Sequence, residues 1–104
     1  MPEIFKTACF DAWMRNLHDR RAAARIQARI DRLAVGNPGD VRPVGSGISE
    51  MRIDYGPGYR VYCIRQGSAI IVLLCGGDKT TQTTDIKAAK ELAALWTEKE
   101  DDRY

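Results

Sequence analysis

At 104 residues, 44% hydrophobic and 29% charged, the chain is long enough for one core and too apolar for a disordered segment. Its 16 Lys and Arg against 14 Asp and Glu leave a net charge of +2, so overall charge gives no case for a polyanion partner. No stretch approaches the ~18 apolar residues of a membrane span, and no charged-then-apolar N-terminal signal is present; the expectation is a soluble, cytoplasmic, single domain over residues 1–104. Cys9, Cys63 and Cys75 are odd in number and lie in hydrophobic contexts, which reads as three small buried thiols in a reducing compartment.

In chain order, Glu3 to Thr7 alternates as a short strand. From Phe10 the pattern turns helical, with Phe10, Trp13, Met14 and Leu17 on one stripe. Asp19 reads as the N-cap of a second helix, Arg20 to about Ala34, whose core face is Ala23, Ile26, Ile30 and Leu33. Arg21, Arg25, Arg29 and Arg32 occupy a different stripe of that helix. Gly36-Asn37-Pro38-Gly39-Asp40 is a strong helix stop, and Arg42-Pro43-Val44-Gly45-Ser46-Gly47 prolongs it as a loop.

Three strand-like runs follow, 49–55, 59–64 and 69–75, separated by Gly56-Pro57-Gly58 and Gln66-Gly67-Ser68, as in an antiparallel meander. Alternation places Glu50, Arg52 and Asp54 on one face and Met51, Ile53 and Tyr55 on the other. The third run does not alternate, which describes a central strand covered on both sides. Thr84 or Asp85 caps a last helix with Ile86, Ala89, Leu92 or Ala93, Leu95 and Trp96 inward, and 97–104 reads as a frayed tail. The sum is an α+β domain: a small antiparallel-type sheet with two N-terminal helices and a C-terminal helix, packed on one face.

Familiar catalytic constellations are missing from the sequence. The one histidine, His18, has no metal-spaced neighbours, and the serines lack a nucleophile elbow. Neither Gly45-Ser46-Gly47 nor Gly56-Pro57-Gly58 leads directly into a helix, so both are turns rather than phosphate loops. What remains is Arg52, Arg60, Lys79 and Gln82, with Glu50, Asp78, Tyr59 and Tyr62 nearby. Arg60 sits among strand residues that prefer burial, and needs an anion. That anion is either Glu50 or Asp54 across the strands, or a phosphate held in a groove. The arginine stripe on the second helix is either a solvated face or a contact for phosphate backbones or an acidic segment.

The chain resembles toxins of the RelE/ParE superfamily, in the HigB-like branch of addiction-module killer proteins, also called phage-derived Gp49-like proteins. The resemblance is carried by Phe10-Asp11-Ala12-Trp13-Met14, by 24–33, by Gly36-Asn37-Pro38-Gly39-Asp40, and by Glu50-Met51-Arg52-Ile53. It continues through Gly56-Pro57-Gly58-Tyr59-Arg60-Val61-Tyr62 and 73–82, spanning the chain from about Phe5 to Leu95.

It implies the element order β-α-α-β-β-β-α and a toxin that cleaves mRNA in the ribosomal decoding site, without metal or other cofactor. It also implies a cognate antitoxin, expected to be of helix-turn-helix type, and operator DNA reached only through the toxin–antitoxin complex. By the same resemblance Arg60 matches the arginine that binds the scissile phosphate, Lys79 the basic residue after the last strand, and Gln82 belongs to the same motif. Arg52 would orient the backbone, and Glu50 or Asp78 would serve as base, since no histidine follows His18. Arg21, Arg25, Arg29 and Arg32 would hold ribosomal RNA. Two other readings share the fold: a ParE-like inhibitor that binds DNA gyrase without catalysis, and a decayed toxin acting as its antitoxin's regulatory partner.

Overall fold

The computed structural model of the chain describes residues 2–98 and 102–104. Strand β1 (Glu3–Lys6) leads into helices α1 (Ala8–Arg15) and α2 (Arg20–Ala34). Four strands follow, β2 (Val41–Gly45), β3 (Ile48–Ile53), β4 (Tyr59–Gln66) and β5 (Ile70–Asp78), and a 3-10 turn, Lys79–Thr81, joins β5 to α3 (Gln82–Leu95). The strands form one sheet in the order β1-β5-β4-β3-β2, antiparallel except that β1 runs parallel to β5. The fold is the expected small α+β type, with one strand more than foreseen. No helix among the described residues is long and apolar enough to cross a membrane.

The extra strand is β2, in the stretch expected to be loop. Pro43 removes one backbone donor, but β2 lies at the sheet edge, where a missing N–H faces no neighbour. A register shift between Pro43 and Gly45 then bends the strand into the turn at 45–47, where Gly45, Ser46 and Gly47 all take positive φ.

Local chemistry sets the helix ends. Thr7 caps α1, its hydroxyl accepting from Phe10 N at 3.1 Å and donating to Leu74 O, so the first helix begins earlier than its apolar stripe suggests. Asp19 caps α2 as expected, accepting from the amides of Arg21 at 2.9 Å and Ala22 at 3.2 Å. At the other end Gly36 (φ 87°) donates to Leu33 O and Asn37 to Arg32 O, the paired bonds of a Schellman stop. The last helix starts before Thr84. Asp78 caps the 3-10 turn through Thr80, and Gln82 is already helical.

Helices cover both faces of the sheet, not one. Phe10 of α1 and Ile26, Ile30 and Leu33 of α2 pack on Met51, Ile53, Val61, Ile71 and Leu73. On the reverse face, Ala89 with Ile86, Leu92 and Trp96 of α3 packs on Phe5, Ile48, Tyr62, Val72 and Leu74. Strand β5 is therefore central and buried on both sides, as its unbroken apolar run indicates. On α2 the innermost alanine is Ala22 rather than Ala23. On α3 Leu95 falls outside the apolar stripe and is 80% exposed. Cys63 and Cys75 are buried, and burial pushes their thiols up to about 11 and about 12, whereas Cys9 is exposed.

The expected frayed tail over 97–104 lies partly outside the described residues. Its last two residues turn back to β1: Arg103 bridges Phe5, Tyr104 N donates to Ile4 O at 2.9 Å, and the Tyr104 ring meets Phe10 edge-on.

Close approach of both helical layers depends on Gly76 and Gly77 in β5. A Cβ on Gly76 would overlap the Trp13 ring of α1, and one on Gly77 would overlap the Asp85 carboxylate of α3. Gly76→Ala should therefore lower stability by about 1–3 kcal/mol through overpacking, a fall in Tm of roughly 5 °C or more, read by thermal denaturation followed by circular dichroism.

Candidate anion-binding groove

At one end of the sheet, where β3 and β4 meet the end of β5, lies an open groove of about 480 Å³. Arg52, Arg60 and Lys79 line it, with Asp40, Asp54 and the 56–58 turn. Each arrives from a different element. Arg52 and Arg60 are register partners across β3 and β4, and Lys79 opens the 3-10 turn beyond β5. The turn admits them because Gly58 takes φ 80°, and a Cβ there would lie 3.4 Å from Arg60 Nη1 and 3.5 Å from Lys79 Cβ.

Two guanidinium groups directly opposed across strands repel. Each has its own carboxylate. Asp40, just before β2, accepts from Arg52 Nε at 3.2 Å and Nη2 at 2.8 Å; these bonds hold the Asp40 carboxyl below its ordinary value and raise Arg52. Arg60 is paired with Glu50, which is fully buried: Arg60 Nε lies 3.7 Å from Glu50 Oε1, and the Nη1 donates to Gly58 O at 2.9 Å. Of the two strand carboxylates considered from sequence, Glu50 is the partner of Arg60.

Glu50 also accepts from Arg42 Nε at 3.1 Å, Tyr62 Oη at 3.0 Å and Gln82 Nε2 at 2.8 Å. Burial first, and then this carboxylate, pushes the Tyr62 phenol far above its ordinary value. The sequence-predicted residues therefore separate. Arg52, Arg60 and Lys79 share the groove, while the buried Glu50 and the half-buried Gln82 lie behind Arg60. Asp78 is turned onto Thr80, accepting from its amide at 2.8 Å and its hydroxyl at 2.6 Å. Those two bonds hold the Asp78 carboxyl below its ordinary value.

The α2 arginines divide in the same way. Arg21, Arg25 and Arg32 are exposed, Arg25 lying 4.7 Å over the Tyr55 ring. Arg29 is not available to a partner. Its Nη1 donates to Arg52 O at 2.5 Å, and its Nη2 to Pro38 O at 2.9 Å and Asp40 O at 3.1 Å, so it ties the 38–40 loop to β3. Burial, then the charge of Arg32, lowers its pKa. Sequence reasoning missed Asp40 and Arg42 because both pairings are made by the approach of the 40–45 segment to β3, a stretch expected to be loop. The only sequence signal for Arg42 was an arginine within a Gly/Pro-rich stretch. Among the described residues, no group of three or more His, Cys, Asp and Glu side chains is placed to hold a metal ion.

A small α+β domain with a five-stranded sheet and helices from both its N- and C-terminal regions has the RelE-like fold. The sequence model of the family described as "Phage derived protein Gp49-like (DUF891)" matches residues 12–95, and the chain belongs to this family, within the RelE/HigB-like toxin superfamily. The chain is also 54% identical over 91 residues to an uncharacterized protein of Haemophilus influenzae (strain ATCC 51907 / DSM 11121 / KW20 / Rd), covering 88% of this chain and 92% of that one. The family is one of toxin–antitoxin toxins, whose partner is an antitoxin.

The two carboxylates should differ sharply when removed. Glu50→Ala takes the acceptor from the buried Tyr62 hydroxyl, from Gln82 and from Arg42, leaves Arg60 without its counter-ion, and should cost about 3–5 kcal/mol in urea denaturation. Asp40→Asn instead removes a pH-dependent contribution. Because the folded Asp40 pKa is depressed, its contribution is present above the unfolded value and lost as pH falls through the folded one. The gap in Tm between wild type and Asp40→Asn should be constant above about pH 5 and close progressively below pH 4.

Proposed function

We propose that the protein is a ribosome-dependent mRNA endoribonuclease that cuts without a metal ion. The observation that carries this reading is the convergence of Arg52, Arg60 and Lys79, from three elements, on one open groove. Cleavage by this route has the ribose 2′-OH attack the adjacent phosphate, leaving a cyclic phosphate and a 5′-OH. The phosphorane-like transition state carries extra negative charge on its oxygens, and fixed cations are worth most where that charge develops. Arg60, half-sunk and braced by Glu50 and Gly58 O, is the preorganised donor. Arg52 and Lys79 hold the flanking backbone. The ribosome supplies what so open a groove lacks, in-line alignment of the strand.

Arg21, Arg25 and Arg32 present three cations on the outer face of α2, suited to the phosphates of ribosomal RNA. Losing them should weaken ribosome binding in a salt-sensitive way, with cleavage chemistry intact. Glu50 and Asp78 do not serve as base in this reading, because the first has no solvent-facing lone pair and the second caps the turn.

Primer extension on a defined mRNA, with and without translating ribosomes, tests the reading. Cuts are expected only with ribosomes and within the coding frame. Arg60→Ala should lower them about 10²–10³-fold while circular dichroism stays unchanged. Intact mRNA in both reactions, from folded protein that still arrests growth, would move the activity to gyrase inhibition.

A further inference from the structure

The groove has cations in place but needs a proton acceptor for the 2′-OH, and both carboxylates expected from sequence are occupied elsewhere. Of the other acidic side chains at this end of the sheet, Asp40 is bound through two nitrogens to Arg52, and Asp85 accepts the Thr81 hydroxyl. Asp54 differs from all of these. It lines the groove alongside Arg52, Arg60 and Lys79, is exposed, and has no side-chain hydrogen bond or ion pair among the described residues. Its backbone is nonetheless fixed, because Tyr55 N donates to Ile53 O at 2.9 Å, a three-residue turn with Asp54 at its centre, and Gly58 N closes the next turn on Tyr55 O at 3.1 Å. Asp54 also lies in the wall between the groove and a second depression edged by Arg25 and Arg32, where a strand leaving the groove towards α2 would pass over it.

We propose that Asp54 is the general base of the cleavage reaction; this rests on the nuclease reading above. The 2′-OH proton passes to an Asp54 carboxylate oxygen as the O2′–P bond forms. The P–O5′ bond breaks, and the departing O5′ takes a proton from water. The hydroxide so formed recovers the proton from Asp54, which returns the site to its starting state. Arg60 and Lys79 balance the charge gathered on the phosphate, and a free carboxylate in hydrogen-bond reach of a ribose is what the base role requires.

The test is single-turnover cleavage on programmed ribosomes by wild type, Asp54→Asn and Asp54→Ala, with ribosome affinity measured for each. Both variants should bind normally and cleave about 10²–10³-fold more slowly. An mRNA with a 5′-bridging sulfur at the scissile phosphate has a leaving group that needs no protonation. It should not rescue either variant, since the lost step is proton removal. Wild-type rates in both variants, or rescue by the bridging sulfur, would overturn the assignment while leaving the nuclease reading intact. Absence of cleavage by folded wild-type protein would sink the nuclease reading and this assignment together.

Discussion

Everything at the groove end of this molecule depends on placing two arginines side by side on adjacent strands. The β3–β4 register leaves Arg52 opposite Arg60, an arrangement that would push the strands apart without compensating anions. The compensation is asymmetric. Arg52 is neutralised from outside, by Asp40 at the rim, where water and ions can compete. Arg60 is neutralised from inside, by a carboxylate that solvent does not reach. The result is one cation free to exchange its partner for a ligand and a second whose position is fixed by the core.

That division explains the polar layer inside a small hydrophobic protein. Glu50 is buried at a cost that only a full set of donors can offset. Arg42 from β2, Tyr62 from β4 and Gln82 from α3 donate to it and the Arg60 guanidinium of β4 lies within ion-pair distance, so the carboxylate ties three strands and a helix to one point. Arg29 does the equivalent on the other face, where its guanidinium gathers three carbonyls and fixes the loop that carries Asp40. The groove is shallow, but both of its walls are anchored from behind.

The sequence made some of this legible and hid the rest for physical reasons. Asp19 and Gly36 declare the ends of α2 because capping is a local matter of one side chain and one backbone angle. Alternation along β3 and the register it implies put Arg52 and Glu50 on the same face. Strand β2 was hidden because Pro43 and Gly45 interrupt its two valines and its pairing is imposed by β3. The second helical face was hidden because an unbroken apolar strand tells that both sides are covered, not by which helices. Arg29 shares its spacing with exposed arginines. Only the fold of the 36–40 loop turns it into a structural residue, as only the meeting of that loop with β3 gives Asp40 its partner.

The two edges of the sheet have a consequence of their own. Pro43 lacks an N–H on β2, and Arg103 and Tyr104 lie along β1, so neither border offers a clean row of donors and acceptors. Strand-by-strand accretion of further copies is disfavoured at both ends. A partner that leaves these edge features in place meets helices and the groove rather than a bare sheet border.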